Sequence, residues 1–176
     1  MNLGEKLFKG FLAFALLIIL FTGTYCIYTP IHEVSHFSAS LAIGSGAKRI
    51  DLYSHVEPEP INGAFNAFLF YSAPYIVGLI ILLICIKLKS IIKRPWDLVP
   101  ITFAHFVYIN AIANFVLQFT NSGIDFSSIL KYTGELYWFI SYLIVAAIIL
   151  IGWRNRSDTE RLYNSFKDLI ERFSGS

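Results

Sequence analysis

Apolar residues along this chain gather in four long blocks: Phe11 to Tyr28, Ala64 to Ile86, Leu98 to Phe119 and Leu136 to Trp153. Each is close to the roughly 20 residues a helix needs to cross the hydrocarbon of a bilayer. The pattern predicts an all-α integral membrane fold of about four transmembrane helices. Composition agrees, because 56% of the residues are hydrophobic and only 15% are charged, against about a quarter charged in ordinary soluble domains. No small-residue cleavage site follows the first block, so the first helix is expected to stay in the mature chain.

The first block does not end cleanly. It runs through Gly23 and Pro30 into Ile31-His32-Glu33-Val34-Ser35-His36 and on to Ala42. This reads as one helix, kinked where proline removes a backbone donor and stopped by Gly44-Ser45-Gly46. The alternation from Arg49 to Val56 predicts a short β-like segment or hairpin after it. Ser72-Ala73-Pro74 interrupts the second block with small residues and a proline, a break tolerated where membrane helices pack closely. The third block carries His105, Asn110, Asn114 and Gln118 and breaks at Thr120-Asn121-Ser122-Gly123, just before Asp125. Residues 1–153 form the membrane-embedded unit. Residues 154–176 form an amphipathic tail, in which Ser157-Asp158-Thr159-Glu160 reads as a capping box and Leu162, Phe166, Leu169, Ile170 and Phe173 make one stripe. That helix is expected on the membrane surface or against a partner, outside the bundle.

The net charge of +2 and the scatter of 14 Lys and Arg residues at block ends argue against a nucleic-acid partner. They report topology instead. If the first block and its extension make one crossing, Lys6, Lys9, Lys87, Lys89, Lys93, Arg94, Arg154, Arg156, Arg161, Lys167 and Arg172 share one side, and only Lys48, Arg49 and Lys131 lie on the other. By the positive-inside tendency the termini are cytoplasmic, and His32 and His36 face out of the cytoplasm.

His32 and His36 stand four residues apart on one helix face, so both imidazoles can hold one zinc ion, with Glu33 beside them as general base. Three ionisable groups within five residues at the end of a spanning helix are costly in lipid, and a bound metal gives them a reason. A catalytic zinc takes a third protein ligand. Asp125 is the expected one, and Glu57, Glu59 and His55 are the alternatives. His105 is expected to serve helix packing and not the metal.

These residues resemble the site-2 protease family of intramembrane zinc metalloproteases. The resemblance rests on His32-Glu33-Val34-Ser35-His36, Ala39 with Gly44, Ser72-Ala73-Pro74, and Asn114 with Asp125, and covers about residues 10 to 130. It implies peptide-bond hydrolysis in or near a transmembrane segment of a membrane-protein substrate, within the lipid bilayer. It also implies that Asn114 or Asn110 contacts the substrate backbone or supports the oxyanion. The family's compact asparagine, proline and aspartate-glycine motif is not reproduced, since Asn114 lies eleven residues before Asp125 and Phe126 follows. The rival expectation is a non-catalytic zinc-binding membrane scaffold or chaperone, with a metal transporter behind it. Nothing in the sequence fixes an oligomeric state.

Overall fold

A computed structural model describes residues 3–51, 55–58, 60–117, 125–155 and 158–174. Gln118, the break from Thr120 to Gly123, Glu59, Arg156 and Ser157 lie outside the described residues. Six helices and one two-stranded sheet are found among those described: α1 Leu3–Ala42, β1 Ala47–Asp51, β2 His55–Pro58, α2 Ala64–Ile91, α3 Leu98–Leu117, α4 Asp125–Thr133, α5 Glu135–Arg154 and α6 Asp158–Ser174. Four of them, α1, α2, α3 and α5, are long and apolar enough to span a membrane. Phe11, Phe14 and Ile19 are more than half exposed on α1. An apolar surface of that extent needs a lipid or protein cover.

The first block and the His32–His36 motif form one uninterrupted helix with Pro30 inside it. Its end is built as the glycines require: Gly44 and Gly46 take positive φ, and the Ser40 carbonyl accepts from the Ser45 and Gly46 amides at 2.9 and 3.3 Å. A left-handed residue at this point lets the last carbonyls find donors that a continuing helix would withhold. The hairpin follows, antiparallel, with Arg49 opposite Glu57 and Ile50 opposite Val56, and an irregularity between Ala47 and Arg49. Val56 is fully buried against the bundle, while its cross-strand partner Ile50, on the same face of the small sheet, is half exposed.

The helices run up and down, so chain ends and loops sort to two ends of the bundle. At one end the last turn of α2 meets α6 and the start of α3. There the Lys89 ammonium pairs with Asp158, and Arg161 Nε donates to Asp97 Oδ2 at 2.6 Å. The fully buried Asp97 also accepts from Ser165 Oγ at 2.8 Å. The apolar stripe of α6 could not show these bonds. A carboxylate buried at the α2–α3 turn needs charged and polar partners, and α6 supplies them. Lys9 and Ala13 of α1 line a crevice with Tyr163 and Phe166 of α6, which puts the chain's N-terminal segment at this end too. The hairpin, the start of α2 and α4 occupy the other.

Glycine sets the spacing of α3 against α5. A Cβ added at Gly152 would stand 2.2 Å from Cδ2 and 2.6 Å from Cγ of Tyr108, on the body of the ring and not its tip. We expect Gly152→Ala to lower the thermal midpoint of the detergent-solubilised chain, with a cost of about 1–3 kcal/mol for overpacking. An unchanged midpoint would mean that α3 and α5 separate freely.

Candidate metal centre

In the last third of α1, His32 and His36 project from one face of the helix, their ring centroids 5.2 Å apart. The Nε2 atom of each lies 3.1 Å from the same atom, Oδ2 of Asp125. Among the described residues these three side chains are the group of metal-ligating type whose ligand atoms converge, all within 4.8 Å of one another. Two ligand atoms held about 2.0–2.1 Å from a tetrahedral zinc stand about 3.3 Å apart, and the two nitrogen–oxygen spacings of 3.1 Å are close to that. Two imidazole nitrogens and one carboxylate oxygen also leave the fourth position that a catalytic centre keeps open.

Asp125 reaches this point because α4 is anchored behind it. It is the first residue of α4, and one turn on, the fully buried Ile129 packs with Tyr75 of α2 and Val145 of α5. Tyr132 stacks on Tyr71, centroids 5.7 Å apart and planes 12° from parallel. Burial alone would raise the Asp125 carboxyl, but the bonds from His32 and His36 outweigh it and hold the group well below the usual carboxylate range. Asp125 is therefore ionised, the form a metal ligand needs, at every physiological pH.

His36 is fixed more tightly than His32. Only 3% of it is exposed, its ring packs against Phe70, and its Nδ1–H donates to the Phe70 carbonyl at 2.9 Å. A carbonyl can only accept, so Nδ1 carries a proton, and Nε2 is the nitrogen turned towards Asp125, the one a bound metal would engage. The helix beneath the pair is held by side-chain bonds to its own backbone, Ser35 Oγ to the His32 carbonyl at 2.6 Å and Ser40 Oγ to the Phe37 carbonyl at 2.7 Å.

Glu33 is 7% exposed and close enough to His36 to interact with it electrostatically. Its Oε2 atom is buried with no hydrogen-bond partner among the described residues. A buried carboxylate oxygen left bare is expensive, and a metal with its water is the kind of partner that would satisfy it.

The remaining expected site residues are placed differently from one another. Asn114 Nδ2 donates to the Asn110 carbonyl one turn back, at 2.9 Å, and the Asn110 side chain bonds to the buried Tyr28 hydroxyl, tying α3 to α1 one turn before His32. Of the alternative ligands, Glu57 is exposed on β2 opposite Arg49, and Glu59 is not described. His105 Nδ1 donates to the Ile101 carbonyl of its own helix at 2.9 Å, while Nε2 lies 3.5 Å from Thr159 Oγ1 of α6, at the end away from the metal-ligating group. Tyr28 and Phe70 were not anticipated. A tyrosine four residues before His32 lies on the same helix face, which is the one signal that could have found it; nothing local marks the Phe70 carbonyl. No family model, curated protein or solved structure matches the chain.

Proposed function

We propose that this chain is an intramembrane zinc metalloprotease of the site-2 type, cleaving peptide bonds in or near the transmembrane segments of other membrane proteins. The observation that carries the reading is the meeting of His32, His36 and Asp125 beside a buried Glu33 whose Oε2 is unpartnered. When bound, zinc supplies Lewis-acid polarisation of the scissile carbonyl and makes water acidic enough to lose a proton near neutral pH.

The chain's own groups do the rest. His36, with its Nδ1 proton committed to Phe70, presents Nε2 in one tautomer and one orientation. Asp125 brings negative charge to the site. Glu33 takes the proton of the attacking water and returns it to the leaving amine. From Lys9 to His32 the helix rises about 35 Å, a little more than the roughly 30 Å of hydrocarbon. With the basic end of α1 at one interface, the site lies near the opposite interface, where water can reach it without crossing the membrane. A substrate helix must unwind locally before attack, because its carbonyls are committed to hydrogen bonds; β1 and β2 stand next to α1 as strands with which the freed segment could pair.

The purified chain should hold about one zinc per molecule, and metal analysis of the detergent-solubilised protein decides this directly. Zero metal after purification in zinc-containing buffer would remove the foundation of the reading. Orientation is tested separately. A single cysteine introduced at Glu57 should react with an impermeant maleimide added to intact cells, and tags on both termini should not be reached. Labelling at Glu57 only after permeabilisation would reverse the topology.

A further inference from the structure

The chain keeps a proline in the interior of α2, where it is buried and where an ordinary residue would support the helix better. Pro74 has no N–H, and the bond it cannot make is the one to the carbonyl four residues earlier. That residue is Phe70. The carbonyl that Pro74 leaves without its intrahelical donor is the same carbonyl to which His36 donates its Nδ1–H, at 2.9 Å. The pyrrolidine ring also crowds this oxygen and turns it away from the helix axis. Two features of the sequence that looked independent, the proline in the second block, which α2 carries without interruption, and the histidine pair in the first, thus meet at one atom.

We propose that Pro74 is a positioning residue of the metal centre: by freeing and tilting the Phe70 carbonyl, it gives His36 the acceptor that fixes its tautomer and ring orientation. The inference rests on the reading of His32, His36 and Asp125 as a metal site, and extends it into a helix that contributes no ligand. Ligating histidines depend on such an acceptor behind the ring, usually a carboxylate, a water or a carbonyl. In the middle of an apolar bundle a carbonyl is the cheapest of the three, since it adds no charge to desolvate. Helical carbonyls are already bonded along the axis, however, and a proline four residues later releases one. The Ser72 hydroxyl, two residues before the proline, bonds to the Phe68 carbonyl at 2.6 Å, so the neighbouring turn keeps its own acceptor occupied and the free one is confined to Phe70.

The test uses cobalt(II), whose visible absorption reports ligand geometry, on the purified full-length chain and its Pro74→Ala variant. Alanine restores an N–H that draws the Phe70 carbonyl back into the helix. Cobalt affinity should then fall about tenfold, the lower end of what partners of ligating histidines are worth, and the cobalt absorption bands should shift. The thermal midpoint of the metal-free variant should be unchanged or higher, because alanine suits a helix interior better. That opposition of signs is the signature. Equal cobalt affinity in both proteins would overturn the proposal, and so would a variant that loses fold stability along with affinity or fails to fold, since Pro74 would then be a packing residue. As a second measurement, nitrogen-15 spectra of histidine-labelled wild-type protein with zinc should show His36 protonated at Nδ1; a proton on Nε2 would sink the idea without any variant. A wild-type chain that takes up no cobalt and no zinc defeats the metal-site reading itself, an outcome distinct from a wild type that binds beside a variant that binds equally well.

Discussion

Glu33→Gln should leave zinc bound and reduce peptide-bond cleavage by about 10² to 10⁴-fold, the range attributed to general acid-base catalysis. The substitution keeps the side chain's length and one acceptor oxygen, so packing around a residue that is 7% exposed is little disturbed. What disappears is the ability to take a proton. Glutamine also relieves the desolvation of a buried carboxylate, so the variant should be at least as stable as the wild type. The measurement compares the membrane-protein fragments of cells that carry either form, together with zinc content and thermal midpoint of the two purified proteins. A scaffold that merely uses zinc to hold its fold predicts something else: normal function in the cell with Glu33→Gln, and no fragment that depends on the residue. Loss of zinc in the variant would instead make Glu33 a ligand and force a different assignment of the site.

How far the sequence could reach is clearest at particular residues. The spacing of His32 and His36 needs only a helix to put both rings on one face, and α1 is that helix; a four-residue interval is a local fact, fixed by helix geometry. Gly44 and Gly46 ended α1 for an equally local reason, since they adopt a backbone that other residues resist. The hairpin was visible in the alternation around Arg49 to Val56 for the same kind of cause. Asp125 is harder, because it lies 89 residues from His36, and its expected approach to the histidines rested on a glycine break after a polar-faced span and on a resemblance in place of any periodicity. Asn110 shows the limit. Its side chain bonds to Tyr28, because a buried hydroxyl in an apolar bundle requires a partner and α3 passes beside it, and no spacing along the chain marks that contact. The Phe70 carbonyl and the Asp97–Arg161–Ser165 network depend on which helix lies against which, and a pattern of apolar blocks holds no record of that.

Removal of the Asp125 carboxylate gives the other large effect. Asp125→Ala should strip the chain of zinc at concentrations where the wild type is saturated and should abolish cleavage with it, since two imidazoles alone do not hold a catalytic metal. The structural reasoning is specific. One oxygen, Oδ2, stands 3.1 Å from both Nε2 atoms, and no other carboxylate among the described residues converges on them. Asp125→Asn separates charge from shape: it retains an oxygen at the same reach but removes the negative charge, so zinc affinity should fall between those of the wild type and the alanine variant. The fold should survive both changes. α4 is held by Ile129 and by the stacking of Tyr132 on Tyr71, and the carboxylate that is lost belongs to a partly exposed residue at the start of that helix. Zinc titration and thermal unfolding of the three proteins settle the matter. Wild-type affinity and full cleavage in Asp125→Ala would move the third ligand to the segment from His55 to Glu59, and an unfolded variant would mean that Asp125 serves the helix and not the metal.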